Sequence, residues 1–399
     1  MVVRLKTSPD RELLAPAGSF PSLIAAVNAG ADAVYFGLNE FSMRANAKNF
    51  SITDLDKISE ICKPHKVKKY LTLNVIIYDN EIKPIEKIIK QVKRKIDAII
   101  CWDPAIIQLC KQYKIPFHIS TQASIANKKA AEFYKKLGAE RVVLARELNI
   151  KQIKEISKVI DTEIFIHGAM CVSVSGRCFT SQFLFNKSAN RGECLQPCRR
   201  SYTVKDDSGN ELKLNCNTVM SAKDLCALPF MEELKKAGIK AFKIEGRNRE
   251  PEYVDAVVRT YKLALDKRLN EKEIQQGINE LNKVYNKGFS SGFLIKKPTR
   301  EDFSKSQHSS ATQRKEFLGK IDKYLTNKQV AIIKISSGKV KVGDELYVLG
   351  NATGILKRVV KRIEIYYKPV LEAKKGDEIG IQIPGARKND KVYLIVKNE

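Results

Sequence analysis

Glu163-Ile-Phe-Ile-His167-Gly168-Ala-Met-Cys171 is an apolar run that ends abruptly in a histidine, a glycine and a cysteine. A short apolar run over 163–167 that turns polar at one end fits a strand buried on both faces of a parallel sheet. Seven comparable runs occur in the first 250 residues, at 12–15, 33–37, 70–77, 98–102, 117–121, 141–145 and 241–245. Helical patterns alternate with them at 22–30, 52–62, 82–95, 126–137 and 150–159, and Gly30 and Gly138 stand where helices should stop. Eight strands with intervening helices predict an α/β fold, a (β/α)8 TIM-like barrel. A doubly wound open sheet gives a similar alternation, and the count of eight decides between them.

The rhythm breaks after the quoted strand. From 168 to 220 there is no clean helix but a long insertion with a hairpin-like stretch around Asp206-Asp-Ser-Gly-Asn, and an insertion of that length at one junction points to function. After the eighth strand, 251–267 and 272–287 read as helices. Residues 296–314 are polar and aperiodic, a linker. From 317 to 397 short alternating strands with Gly-containing turns predict a small all-β barrel or sandwich. The expected domains are therefore 1–295, carrying the insertion 168–220, and 315–399, joined by 296–314.

The chain has 399 residues, with 71 Lys and Arg against 45 Asp and Glu, a formal net charge of +26. That excess fits a polyanionic partner such as RNA, because each phosphate contact releases counterions. A Lys-rich or heat-adapted genome would also produce it. The first residues lack the apolar segment of a signal peptide and no run reaches membrane-spanning length, so a cytoplasmic protein without structural disulfides is expected.

In such a compartment the cysteines matter. Cys62, Cys101 and Cys110 fall on apolar faces and read as small buried hydrophobes. Cys171, Cys178, Cys194 and Cys198 crowd into 28 residues as C-x6-C-x15-C-x3-C, and Cys226 follows in Lys223-Asp224-Leu225-Cys226. Four thiolates suit an iron–sulfur cluster or tetrahedral zinc, and the first pair is spaced too widely for the usual zinc knuckle. At the strand ends, where a barrel keeps its chemistry, stand Asn74, Asp103, Gln122, Arg146, Glu147, His167, Glu245 and Arg247. The loop after the second strand offers Arg44 for a carboxylate or phosphate, or else closes as an aromatic lid.

Glu163-x-Phe165-x-x-Gly168-Ala-Met-Cys171-x4-Gly176-x-Cys178-x-x-Ser181 resembles the signature of the collagenase-like peptidase family of unassigned catalytic type. Glu12-Leu-Leu-Ala-Pro16-Ala-Gly18, Asp32-Ala-Val-Tyr-Phe-Gly37 and Lys243-Ile-Glu-Gly-Arg247 strengthen the likeness, which covers roughly residues 10–300. The segment from Phe317 resembles the small β-barrel of elongation factor Tu domain two. Phe179-Thr180 departs from the pattern, where an aliphatic residue is usual at the second position. Family members are implied in oxygen-independent hydroxylation of the tRNA wobble uridine (with prephenate linked to the pathway), of an rRNA cytidine, and of ubiquinone precursors as a paired complex. The resemblance implies a 4Fe–4S cluster on Cys171, Cys178, Cys194 and Cys226, with Cys198 the alternate fourth ligand.

The expected function is hydroxylation of an RNA base, the tRNA wobble uridine first, with RNA as partner and the oxygen source and electron donor unassigned. His167, Glu245 and Arg247 are the candidate catalytic groups, and Arg44, Asn74 and Gln122 the candidate binding groups. Alternatives are rRNA cytidine hydroxylation, a peptidase using a Cys171–His167 pair, and a non-catalytic iron–sulfur scaffold paired with a second family member. Only four histidines exist, and there is no His-Glu-x-x-His pair and no Gly-x-Ser-x-Gly elbow.

Overall fold

The computed structural model describes residues 11–44, 48–200, 202–212, 220–306 and 308–398. In chain order the strands of the first 250 residues are β1 (Glu12–Pro16), β2 (Ala33–Gly37), β3 (Lys68–Thr72), β4 (Ala98–Cys101), β5 (Phe117–Ile119), β6 (Arg141–Val143) and β7 (Asp161–Gly168). Then come a small antiparallel hairpin, β8 (Val204–Lys205) with β9 (Glu211–Leu212), followed by β10 (Asp224–Cys226) and β11 (Ala241–Ile244). Each of β1 to β7 lies parallel to the next, and β11 lies parallel to both β1 and β7. Eight parallel strands thus close on themselves, as the count of apolar runs predicted.

Helices α1 (Phe20–Asn28), α2 (Leu55–Cys62), α3 (Ile82–Val92), α4 (Pro104–Gln112), α5 (Lys128–Lys136) and α6 (Ile150–Ile156) return between strands. Ser19, Asp103 and Asn127 cap α1, α4 and α5 by accepting from backbone N–H groups, so Asp103 is a helix cap. Gly30 and Gly138 both take φ of +96°, ending α1 and α5. Outward residues such as Leu13, Phe36, Leu71, Ile99 and Phe242 pack under the helices. The inward face carries Leu14, Tyr35, Tyr70 and Ile100 beside a chain of buried ion pairs. Arg141 Nη1 stands 2.7 Å from Glu12 and 3.4 Å from Glu163, whose other oxygen holds Lys243 Nζ at 2.8 Å.

Three expectations change. The run at 70–77 leaves the sheet at Thr72, where the Trp102 indole takes the Asn74 carbonyl at 3.0 Å. The insertion does hold a helix, α7 (Thr180–Phe185), whose Phe183 is 87% exposed, so no apolar face announced it. The stretch 296–314 is fastened to the barrel, with Phe303 bridging Ala222 and Ser304 N–H donating to the Ser221 carbonyl.

Helix α8 (Met231–Lys236) precedes β11, and α9 (Pro251–Asp266), α10 (Glu271–Lys283) and β12 (Phe289–Ser290) follow it. The rest of the chain is antiparallel: β13 (Gln313–Leu325), β14 (Val330–Ile335), β15 (Lys339–Lys341), β16 (Glu345–Gly350), β17 (Gly354–Val359), β18 (Ile363–Ile365), β19 (Lys368–Val370), β20 (Glu372–Lys374), β21 (Glu378–Gln382) and β22 (Lys391–Lys397). It buries its own core around Leu318, Ile321, Ile333, Ile379 and Val392. Lys357 Nζ pairs with Asp255 of α9 at 3.0 Å, and Gly354 lies so close to Ile24 of α1 that a Cβ would sit 2.6 Å from it. Among the described residues no helix is long and apolar enough to cross a membrane.

Candidate functional site

The insertion is drawn over the C-terminal ends of the strands by three arginines. Arg177 donates to Ser124 at 3.0 Å, and Ser124 also donates to Ser175. Arg191 pairs with Glu81, donates to the Ile76 carbonyl and lies over the Tyr78 ring. Arg199 ties both ends of the insertion together, donating to the Met170 carbonyl at 3.0 Å, to Ser221 at 3.2 Å and to the Ala222 carbonyl. It also stands 3.7 Å from Asp224. Nothing in the spacing of these arginines distinguishes them from surface charges, and the sequence alone did not single them out.

Beneath the insertion is a cavity of about 280 Å³. Arg44, Asn74, Gln122, Glu245 and Arg247, all expected at the site, line it, and so do Cys171, Cys178, Cys194 and Cys198. At its centre Glu245 Oε1 is 3.1 Å from Arg44 Nη2, and Oε2 is 3.7 Å from Arg146 Nη2. Burial pushes the Glu245 carboxyl up, but Arg44, Arg146 and Arg247 together outweigh it and hold it at about 2. Arg247 is itself buried, donating to Ser42 at 2.7 Å and Thr72 at 2.9 Å. Burial, then the charge of Arg44, brings its pKa down to about 10. Asn74 Oδ1 accepts from the Met43 N–H at 3.2 Å, and Gln122 accepts from Ser120. Both amides are thereby oriented at the cavity wall. Glu147 Oε2 is buried there and has no hydrogen-bond partner among the described residues.

The loop after β2 divides its aromatic and basic residues. Phe50 packs edge-on between Phe20 and Phe36, at 5.1 and 5.7 Å between ring centres, while Arg44 reaches into the cavity.

The cysteines divide as expected between core and insertion. Cys62, Cys101 and Cys110 are buried, whereas Cys171 is exposed and Cys178, Cys194 and Cys198 are half-buried. Cys178 Sγ accepts from the Thr180 N–H at 3.4 Å. Burial pushes its pKa up, but hydrogen bonds from Ser173 and Thr180 outweigh that and lower it. Burial pushes Cys198 up to about 11; the Arg199 charge opposes this, and repulsion from Cys171, Cys194 and Cys178 adds to it. Among the described residues no three His, Cys, Asp or Glu side chains are gathered closely enough to hold a single metal ion. The four thiols share the lining of one cavity.

Cys226 and His167 lie elsewhere. They are register partners where β10 runs antiparallel to β7. Between Lys243 and Ile244 the β7–β11 ladder slips, so that Ile166 is the extra residue and His167 no longer follows Phe165 into the cavity. The His167 ring is packed by Tyr253, Tyr261 and Phe289, with Nδ1 3.3 Å from the Tyr261 hydroxyl. Burial lowers its pKa to about 3. Expected among the catalytic groups, His167 is instead packed between aromatic rings and is not part of the cavity lining. The Tyr261 hydroxyl also lies 3.6 Å from Cys226 Sγ, which is buried behind β7 outside the cavity lining. The structure thus groups Cys198, and not Cys226, with the other three.

The pattern of peptidase family U32 matches residues 18–304, and that of elongation factor Tu domain 2 matches residues 328–396. The chain is 41% identical to a protein of Porphyromonas gingivalis named Collagenase, over 98% of this chain and 99% of that one. It is 35% identical to tRNA hydroxylation protein P1 of Bacillus subtilis, over 85% of this chain and 83% of that one. It is 38% identical to a 23S rRNA 5-hydroxycytidine synthase of Escherichia coli, over 65% of this chain and 40% of that one. A match spanning the barrel and its cysteine insertion, together with an end-to-end relative, places this chain in peptidase family U32.

Proposed function

We propose that this protein is an RNA-modifying enzyme that hydroxylates a pyrimidine base, with the tRNA wobble uridine as substrate and 5-hydroxyuridine as product. The observation that carries this is the sharing of one barrel-mouth cavity by four thiols, the Glu245 carboxylate and four guanidinium groups, those of Arg44, Arg146, Arg199 and Arg247. The relative named for tRNA hydroxylation aligns over more of this chain than the one named for rRNA, which favours tRNA.

The donor set fits an iron–sulfur cluster. Four cysteines lining one cavity without meeting at one point are donors of the kind and number that a polynuclear iron–sulfur centre takes. A single zinc ion would need them on one point, with sulfurs about 2.3 Å from the metal. Cys171, Cys178, Cys194 and Cys198 would hold the cluster, and Arg199 would fix Cys198 beside it. Replacing a base C–H by C–OH with oxygen at the oxidation level of water releases two protons and two electrons, and a cluster would pass those electrons one at a time to an external acceptor, a redox capacity that side chains lack. The protein's own groups would do the rest. A looped-out base fits a cavity of this size, with Asn74, Gln122 and the unpartnered Glu147 oxygen facing its hydrogen-bonding edge. Glu245 would stay ionised and keep Arg44 and Arg146 aligned, and those arginines would take an anionic co-substrate of prephenate's kind.

The name Collagenase makes a peptidase the competing reading. A cysteine nucleophile requires a base beside it, and among the described residues no histidine lines the cavity with the thiols. Mass spectrometry of tRNA and rRNA nucleosides from a strain lacking the protein tests the proposal. Loss of 5-hydroxyuridine from tRNA, restored by the wild-type gene, is expected. An unchanged nucleoside profile would sink it.

A further inference from the structure

A second cavity, of about 300 Å³, opens where the barrel meets the C-terminal β region. It adjoins the first, because Asn248 in the turn after β11 lines both. Tyr253 stands between them: it lines the second cavity, and its hydroxyl donates to the Glu245 carbonyl at 2.9 Å.

Four cations face this space. Lys283 is 2.5 Å from Glu280, Arg314 is 2.9 Å from Glu316, and Lys315 is 2.7 Å from Glu252 and 3.4 Å from Glu250. Arg249 differs from them. Among the described residues its guanidinium has no carboxylate partner and lies instead 3.6 Å from the centre of the Tyr285 ring. An arginine stacked on an aromatic face keeps its edge N–H donors available in a fixed fork, the geometry that grips a phosphate. Arg247 in the first cavity and Arg249 in the second are two residues apart, so their Cα atoms are at most about 7 Å apart. One strand of nucleic acid can reach both.

We propose that the junction cavity binds the phosphodiester of a nucleotide flanking the target base, with Arg249 as the phosphate-holding group and Tyr285 as its support. This rests on the RNA substrate proposed above. The charged groups lining the cavity are four cations, Arg249, Lys283, Arg314 and Lys315, against two carboxylates, Glu250 and Glu252, so the lining is positive on balance.

The test is fluorescence anisotropy of a labelled single-stranded RNA with the full-length protein across a potassium chloride series. Wild-type affinity should fall linearly with salt on logarithmic axes. Arg249→Gln should bind about tenfold more weakly, as loss of one charge-assisted contact implies. Its salt slope should flatten by about 0.7, the value for one single-strand phosphate. Arg249→Lys keeps the charge and loses the fork, so it should weaken binding with the slope unchanged. It also serves as the folded probe should the Gln variant melt early. Arg94→Gln removes the same charge from an exposed site beyond the end of α3, at the opposite end of the barrel, and should bind as wild type does. If Arg249→Gln and Arg94→Gln behave alike, the cavity assignment is overturned and the RNA reading stands. If the wild-type protein binds no RNA at any salt, the RNA reading falls and the assignment falls with it.

Discussion

Glu245→Gln is the change that reports most directly on the cavity. The carboxylate faces Arg44 at 3.1 Å and Arg146 at 3.7 Å, with Arg247 acting across the same space. Its carboxyl is held at about 2 against an ordinary 4.5. At about 1.4 kcal/mol per pH unit, that difference is about 3 kcal/mol of stabilisation. The Arg44 side chain is 33% exposed, so water screens part of it, and about 2 kcal/mol is expected. This is roughly a 30-fold change in the ratio of folded to unfolded protein. The sign follows from the lowered folded-state pKa: the stabilisation is complete above pH 4.5 and fades as pH falls toward 2. The variant, which cannot ionise, lacks it throughout. Urea unfolding of both proteins would be followed by Trp102, the single tryptophan, whose indole is bonded to the Asn74 carbonyl in the barrel. The gap should be full near neutral pH and shrink at steps below pH 4.5. Equal stability near pH 7, or a gap that persists undiminished to about pH 3, would refute the charge-based account of this cavity.

Cys198→Ala should strip the brown colour and most iron from anaerobically purified protein, whereas Cys226→Ala should retain them; iron analysis giving the reverse would restore Cys226 as the fourth ligand. Gly168→Ala should destabilise the barrel by more than about 2 kcal/mol in urea unfolding, because φ there is +105° and a Cβ would lie 2.6 Å from the Glu245 carbonyl oxygen. A near-neutral effect would mean the β7 end is not held as described. His167 is neutral in the fold down to about pH 3, so between pH 6.5 and 3 the unfolded chain takes up the proton first and stability falls by up to about 1.4 kcal/mol per pH unit. His167→Phe should remove that acid-dependent loss in pH-dependent melts and leave the pH profile of hydroxylation unchanged. A lost limb in that profile would return His167 to catalysis.

The barrel was legible because the buried parallel strands are nearly continuous apolar runs, and the return helices α1, α4, α5 and α6 are marked by side-chain caps. Leu13-Leu14 and Ile99-Ile100 bury one side chain on each face of the sheet, which is why composition alone reveals them. Helix α7 and the fastening of 296–314 were not legible. The first has no apolar stripe, and the second is held by backbone bonds to Ser221 and Ala222 that any polar sequence could make.

For the site, the sequence by itself determined which residue types are available: four crowded cysteines, a Glu-Gly-Arg at the end of the eighth strand, and polar groups at the strand termini. Only the tertiary structure decided which of them meet. One extra residue at Ile166 turns His167 away from the cavity, since side chains in a strand alternate faces and a single slip reverses them. Arg199 closes the two ends of the insertion over long range and so brings Cys198, rather than Cys226, to the other thiols. Arg199 and Arg249 look like any other basic residue in a chain with 71 of them. They gain their roles only from what folding sets beside them: the two ends of a loop, and the face of a tyrosine.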